Sequence, residues 1–554
     1  GVRNVMELFG LYFLISYAVL YVIIPFMTSI PTLTKNDLYR LLSQRFNSEE
    51  KKLSQIPNPA LLKDALASAK RIAEAIRTNK KITLVGDYDV DGVSSTAIMV
   101  DFFRQIPYPL EAIIPNRFND GYGVSPNVLT RIDADLVITV DNGIAANAAA
   151  AICKERGIDL IITDHHTPSD NLPDALYIVD PKLDDCEYPF KEICGAQVAW
   201  LLLGLVKKEL NLNIDMKQFL DILAIAIVAD IMPLVDINRT LVKEGLKLIH
   251  TSSRPSSIII RDFLDKAKIS SEDIAFLIAP RINSAGRLED ASIALDFYTA
   301  QDVNTAYKQF ELLGQLNDLR KETEAQTTEK AINIVNEDDL ITVVAGEGWH
   351  EGVVGIVASR LVDKFAKPAI VLSIENGVAK GSARSIGEVS IYELIKSCEH
   401  LLIKFGGHTM AAGLGLQEEN IAAFREAINE SAKKINPKDF IPKEEVLGIL
   451  NSDEVDLNLL DLLEQFEPYG EANARPSFLI KDAEVVNIKL MGADKSHSRI
   501  EIRQYPHQRK TIELIAFRTI YEMPINRKIT VSYTVTKNEF NGRITAQLLV
   551  NKIY

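Results

Sequence analysis

Three short apolar runs in the first third of the chain each break off at an acidic residue, and nothing else in the sequence restricts the fold as much. ITLVG (82–86) runs into Asp87, LVITV (136–140) into Asp141, and LIIT (160–163) into Asp164-His165-His166. Helix-favouring stretches such as Val93 to Phe103 and Ala145 to Arg156 lie between them. Short apolar runs alternating with helical segments predict an α/β domain built on a doubly wound parallel sheet, its strands buried on both faces. Such sheets bind ligands beyond the carboxyl ends of their strands. The acidic and imidazole residues collect at those ends.

The remainder divides by pattern. Residues 57–288 form the first α/β domain, and the polar, helix-favouring stretch 289–335 reads as a helical connector with a solvated face. A second α/β domain follows over 336–435, with LITVVA (340–345) as a strand, Gly352 to Phe365 as a helix, and a hairpin turning at Asn376-Gly377. From 446 to 554 short alternating strands suggest a small antiparallel β-barrel of OB type.

Bulk properties exclude less. The 554 residues are 47% hydrophobic with net charge −14, so no basic surface advertises nucleic acid; net charge, however, reports the long-range field and not the sign inside a cleft. Cys153, Cys186, Cys194 and Cys398 show no CxxC spacing, which fits a reducing, cytoplasmic setting. Residues 8–34 carry no charge and are long enough to cross a bilayer, so an N-terminal membrane anchor is one expectation. A packing helix and a non-native start to the chain are the alternatives.

GDYDVDG places Asp87, Asp89 and Asp91 at alternate positions, which in extended backbone share one side. Carboxylates with imidazole suit Mn²⁺ or Mg²⁺. A calcium loop begins similarly, but no glutamate follows at the required distance; a solvated turn remains the plainer reading of that motif alone. Asp141-Asn142-Gly143 is a common turn. Adjacent histidines at a strand end are rarer in a chain with eight, and Asp230 closes the apolar segment DILAIAIVAD, where a carboxylate needs a partner.

Taken in order, GDYDVDG, VDNG, TDHHTP and IVAD resemble the successive motifs of the DHH phosphoesterase superfamily. APRINSAGR (279–287), GWHEGVVGIVASRL (348–361), GSARS (381–385) and FGGHTMAAG (405–413) are similar to its RecJ family of exonucleases. The resemblance spans roughly residues 57 to 480 and is compatible with the tail. It implies that Asp87, Asp89, Asp141, His165 and Asp230 hold two divalent ions, Mn²⁺ or Mg²⁺, with Asp141 bridging. Asp91 would ligate or support a ligand, and His166 would stand beside the reacting phosphate or orient a ligand.

Arg281, Asn283, Ser284 and Arg287 read as a donor-rich loop between Pro280 and Gly286, able to approach a phosphate; a structural loop with surface arginines is the alternative. Arg117 lies on a loop after a strand. The glycine-rich passage Gly346–Gly355 carries Trp349 and His350, and Ser382, Arg384, Gly407 and His408 lie nearby in the pattern. Arg503, Tyr505, Arg509 and Lys510 in the tail are candidate stacking and phosphate contacts, or an exposed hairpin. The resemblance implies a 5′-to-3′ exonuclease that converts single-stranded DNA to 5′-mononucleotides in recombination and repair, with Ser382, Arg384 and Arg117 receiving the terminal phosphate. Its partners would be single-stranded DNA and a single-strand-binding protein or helicase. A phosphodiesterase for cyclic dinucleotides or short oligonucleotides, and a non-catalytic replication scaffold, are the competing readings.

Overall fold

A computed structural model of the chain describes residues 30–46, 50–442, 445–450, 454–492, 495–504, 511–517, 519–540 and 543–554. Most of the apolar stretch 8–34 and the candidates Tyr505, Arg509 and Lys510 lie outside these residues. No helix among the described residues is long and apolar enough to cross a membrane. The chain divides into two compact units. One holds the described residues from 50 to 435 with 468–473, and the other holds those of 30–46, 436–467 and 474–554.

The larger unit begins with the expected parallel sheet. Strands β1 (Ile82–Val85), β2 (Glu111–Ile113), β3 (Leu136–Val140), β4 (Asp159–Thr163) and β5 (Tyr177–Val179) lie in the order β2-β1-β3-β4-β5, all parallel. Every residue of β1 and β3 is buried, which is why both read as unbroken apolar runs. From β1 the chain turns outward to β2 and then returns across β1 to β3. Asp87 and Asp141 therefore follow the two strands that flank the switch point, where open α/β sheets bind ligands.

Three helices bring the remaining side chains to that edge, and a fourth packs behind them. Helix α1 (Val90–Arg104) starts directly after β1, and α2 (Gly195–Glu209) packs beside it. Helix α3 (Leu220–Ala229), buried along nearly its whole length, delivers Asp230 at its C-cap. Helix α4 (Asp236–Thr251) crosses α3 so closely at Gly245 that a Cβ there would lie 2.2 Å from the Leu220 carbonyl oxygen and 2.4 Å from the Ala224 Cβ.

Residues 279–287 are not the loop expected from Pro280 and Gly286. They lie in helix α5 (Ala279–Leu288), with the proline in its first turn, where its missing N–H costs nothing. Helix α6 (Ser292–Thr299) and the 30-residue α7 (Val303–Ile332) supply the connector. The second sheet comprises β6 (Thr342–Glu347), β7 (Ala369–Glu375), β8 (Val378–Arg384), β9 (Lys404–Gly407) and β10 (Ala411–Gln417), in the order β9-β10-β8-β7-β6. Asn376 and Gly377, at φ 51° and 76°, make the hairpin turn between β7 and β8. Helix α8 (Val354–Phe365) packs on β7 and β8.

In the smaller unit, β11 (Gly448–Leu450), β12 (Ser477–Met491), β13 (His497–Arg503), β14 (Ile512–Ala516), β15 (Lys528–Phe540) and β16 (Arg543–Ile553) run in the order β11-β12-β13-β14-β16-β15. A further β12–β15 pairing closes the ring into a barrel. Register shifts in β12, between Ile480 and Ala483 and between Val485 and Asn487, let this one long strand serve both neighbours. The barrel departs from the antiparallel expectation at β14–β16, which is parallel, as are β11–β12 and the pairing of β11 with a seventh, edge strand at Thr32–Leu33.

The Gly245 contact carries a stability prediction. Gly245→Ala forces α3 and α4 apart and is expected to destabilise the fold by about 1–3 kcal/mol through overpacking. A thermal melt checks this, and an unchanged midpoint would show that the two helices separate freely.

Candidate metal centre and phosphate-binding cleft

Each acidic residue reaches the sheet edge by a different local route. Asp87 follows β1 directly, Asp89 caps α1 by accepting from Gly92 N at 2.9 Å, and Asp91 lies in the first helical turn. Asp89 keeps extended backbone, at φ −84° and ψ −178°, but the expectation of alternate positions along an extended segment fails at Asp91, because the helix starts at Val90. Asp91 instead accepts from Gly195 N at 2.6 Å and Ala196 N at 2.9 Å, anchoring the N-terminus of α2.

Asp141 follows β3 with φ +62°, a left-handed conformation that costs roughly 1 kcal/mol or more for a residue other than glycine. Its surroundings hold it there. Asn142 Nδ2 donates to the carbonyls of Val85 (3.0 Å) and Val140 (2.9 Å), and its Oδ1 accepts from Val124 N (2.9 Å). The Tyr122 hydroxyl donates to the Asp141 carbonyl at 3.2 Å. On the other side, a Cβ on Gly195 would lie 2.5 Å from Asp141 Oδ1, so only glycine lets α2 approach this carboxylate.

After β4, Asp164 is fully engaged as an acceptor: from Ile144 N at 2.9 Å, His165 N at 2.8 Å, and His166 through both its backbone N–H and, at 2.7 Å, its Nδ1. Burial lowers the His166 pKa, but the hydrogen bond and charge of Asp164 outweigh it and hold this imidazole at about 9. His165 turns inward. Its Nε2 lies 3.2 Å from Asp141 Oδ1, 3.5 Å from Asp230 Oδ2 and 3.6 Å from Asp91 Oδ2.

These atoms converge without satisfying one another. Both carboxylate oxygens of Asp141, both ring nitrogens of His165 and Asp230 Oδ2 are buried and make no hydrogen bond. Burial, and then the neighbouring carboxylates, push the pKa values of Asp87, Asp89, Asp141 and Asp230 upward, that of Asp230 to about 9. Burial lowers that of His165, favouring the neutral ring that binds metals. Candidate ligand atoms of Asp87, Asp89 and Asp141 lie within 4.8 Å of one another, as do those of Asp91, His165 and Asp230, and those of Asp141, His165 and His166. Unpaired buried carboxylates of this kind are costly, and divalent cations relieve both the desolvation and the mutual repulsion. The donor set, carboxylate oxygen with one or two imidazoles, fits Mn²⁺ or Mg²⁺.

A cationic cleft adjoins the cluster. The Arg117 guanidinium lies 5.4 Å from the centre of the Tyr88 ring. Arg287 donates to the Gly352 carbonyl at 3.1 Å; burial and the nearby guanidinium groups of Arg117, Arg320 and Arg384 lower its pKa to about 10. Ser382 and Arg384 alternate along β8 and face the start of α8, where a Cβ on Gly355 would lie 3.3 Å from Ser382 Oγ and 2.9 Å from Arg384 Nη2. Arg384 makes no ion pair among the described residues; its one hydrogen bond goes to the Ala383 carbonyl. His350 accepts from Gly352 N through Nδ1 and meets Phe118 edge to face, 5.4 Å between ring centres.

Other candidates sit elsewhere. Arg281 is clasped between Phe263 and Phe310, 4.4 and 4.5 Å from the ring centres, and Ser284 is buried, donating to the carbonyls of Arg281 and Leu313. Both fasten α5 onto α7, so the donor-rich loop becomes a packed helix with Arg287 toward the cleft and Asn283 half-buried one turn before it. Trp349 belongs to the core of the second α/β domain, at 7% exposure. Gly407, at φ +148°, and the exposed His408 form the rim of the β9–β10 turn. Sequence reasoning passed over Asp164 as an orienting residue, Tyr122, and the cleft residues Lys380, Lys404 and Phe405, none of which stands in a distinctive pattern.

Comparison with known proteins agrees with this architecture. Residues 81–227 match the DHH family N-terminal domain, 337–434 the DHHA1 domain, and 448–552 the RecJ OB domain. A single-stranded-DNA-specific exonuclease RecJ from Bacillus subtilis is 36% identical over 89% of this chain, which spans 64% of that protein's length. The RecJ of Haemophilus influenzae is 32% identical, with 91% of this chain and 93% of that protein covered. Crystal structures of Thermus thermophilus RecJ in complex with Mn²⁺ and with Mg²⁺ superpose with TM-scores of 0.75 and 0.73, at 30% and 27% identity, covering 90% and 93% of this chain and 73% of that one. The chain belongs to the RecJ family of DHH proteins.

Proposed function

We propose that this protein is a metal-dependent exonuclease that hydrolyses single-stranded DNA from its 5′ end to 5′-mononucleotides. The observation that carries the reading is the buried cluster around His165 Nε2, in which the atoms of Asp141, His165 and Asp230 Oδ2 make no hydrogen bond and which stands beside a cleft of arginines. Asp87, Asp89, Asp141, His165 and Asp230 are the residues that would hold two divalent cations. Such cations supply concentrated positive charge beside a scissile phosphodiester, the general contribution of two-metal sites.

The chain's own groups do the rest. Asp141 and His165 each lie in two of the three ligand groupings, and Asp141 has two carboxylate oxygens to share between cations, which supports it as the shared ligand. Asp91, both oxygens already engaged by α2, braces the cluster instead of extending it. His166, oriented by Asp164 and half exposed, is placed to hold a proton next to a phosphate oxygen. Arg287 and Arg117 bind backbone phosphate, while Ser382 and Arg384 take the terminal one, with His350 on the cleft rim. Arg281 and Ser284 act by packing α5.

Domain limits of 57–288, 336–435 and 446–554, joined by a connector over 289–335, organise this activity, and the barrel, of a type that stacks and binds single strands, contributes affinity for the substrate. A single-strand-binding protein or helicase would deliver the substrate. The free, buried cysteines support a cytoplasmic setting.

Two tests follow from these assignments. Asp141→Ala is expected to lower kcat with Mn²⁺ by more than about a hundredfold, since loss of even an outer partner of a metal ligand costs roughly 10- to 100-fold. Circular dichroism should show the fold intact, and substantial residual activity would remove Asp141 from the centre. Arg384→Ala is expected to lose about 10- to 100-fold in kcat/KM on 5′-phosphorylated strands and little on 5′-hydroxyl strands, the effect of one charge-assisted contact. Equal losses on both, with a lower melting temperature, would mark the residue as structural.

A further inference from the structure

The end pocket is larger and more cationic than a single terminal phosphate requires. A cavity of about 410 Å³ opens over the second sheet, its lining including three cationic side chains (Arg117, Lys380 and Lys404) and one acidic one, Glu351, beside Ser382 and glycine backbone. Lys380, Ser382 and Arg384 occupy alternate positions of β8 and so share one face of the strand, with the start of α8 over its Arg384 end. Cross-strand register places Lys380 opposite Gly415, and Gly415 opposite Lys404. The next row is Ser382, Gly413 and Gly406. A Cβ on Gly406 would meet nothing within 4 Å, and one on Gly413 only the Gly381 carbonyl at 3.9 Å. A bare main-chain floor therefore leads from Ser382 toward two lysines, set roughly 6.5 Å further along the strand by two residues of rise.

Both ammonium groups are available to an anion. Lys380 lies 3.4 Å from Glu351 in a half-exposed pair that solvent weakens. Lys404 is exposed and makes no ion pair among the described residues. Compact, flexible ammonium groups suit phosphoryl oxygens whose positions vary, whereas the rigid guanidinium of Arg384 suits a fixed one.

We propose that this cavity accepts strands whose 5′ end carries a di- or triphosphate, with Lys380 and Lys404 contacting the phosphoryl groups beyond the one held by Ser382 and Arg384. The inference rests on the assignment of those two residues to the terminal phosphate. The reaction is unchanged: water adds to the first internal phosphodiester, the bond from phosphorus to the 3′ oxygen breaks, and that oxygen takes a proton. The remaining strand keeps a new 5′-monophosphate. The first product is then a nucleoside 5′-triphosphate, and later cuts release monophosphates.

The test uses the full chain with Mn²⁺ and oligodeoxynucleotides of one sequence, labelled in the first nucleotide and ending in 5′-hydroxyl, 5′-monophosphate or 5′-triphosphate. Wild type is expected to cut the triphosphate within about threefold of the monophosphate in kcat/KM, releasing the label as nucleoside triphosphate, and Lys380→Ala/Lys404→Ala to lower the triphosphate-to-monophosphate ratio by about tenfold or more. If wild type prefers the monophosphate yet cuts the triphosphate no faster than the hydroxyl, or if the double variant leaves the ratio unchanged, the proposal is overturned while the end pocket stands. Should wild type fail to distinguish monophosphate from hydroxyl, the end-pocket assignment falls, and this proposal with it.

Discussion

Like charges forced together at the carboxyl edge of the first sheet govern the organisation of the larger unit. Asp87, Asp89, Asp91, Asp141 and Asp230 surround one neutral imidazole, largely out of water, and the charge of His166 and the more distant Lys182 offsets their repulsion only in part, leaving the pKa values of four of them raised. A protein folding in isolation would gain by replacing such a cluster with apolar residues, since buried unpaired charge is among the most expensive features a fold can carry. The cluster makes sense as a receptor for cations. The same electrostatics draws the complementary feature, a group of arginines raised against one another beside it, which an anionic strand would relieve.

The backbone around the cluster is arranged to keep the carboxylates from escaping. Asp141 is held in a left-handed conformation by an asparagine that ties the ends of β1 and β3 to the loop at Val124. Helix α2 closes the other side, its first amides spent on Asp91 and its glycine pressed to Asp141. Helix α3 is locked by the close crossing at Gly245 and holds Asp230 at its end. Ligand positions are thus set by three strands and three helices packed into one core, which is what a site must have if its geometry is to survive the departure of each product.

Much of this was legible in the sequence because buried parallel strands announce themselves. The runs before Asp87, Asp141 and Asp164 could be little else, and their acidic endings marked the edge where a ligand sits. Individual roles were less legible. Asp91 read as one of three carboxylates on a shared extended face, but the chain turns helical at Val90 and sends it to α2 instead. Pro280 and Gly286 read as loop punctuation, yet a proline in the first turn is compatible with a helix, so Arg281 and Ser284 went to packing. Lys380 and Lys404 become neighbours only through strand register, and Tyr122 reaches Asp141 only through the fold. No local pattern encodes such long-range proximity.

Anomalous diffraction from crystals of the full chain grown with Mn²⁺, collected at the manganese edge, locates the cations themselves. Two anomalous peaks are expected, both within coordination reach of Asp141, one shared with Asp87 and Asp89 and the other with His165 and Asp230. A single peak, or peaks away from Asp141, would contradict the two-metal site.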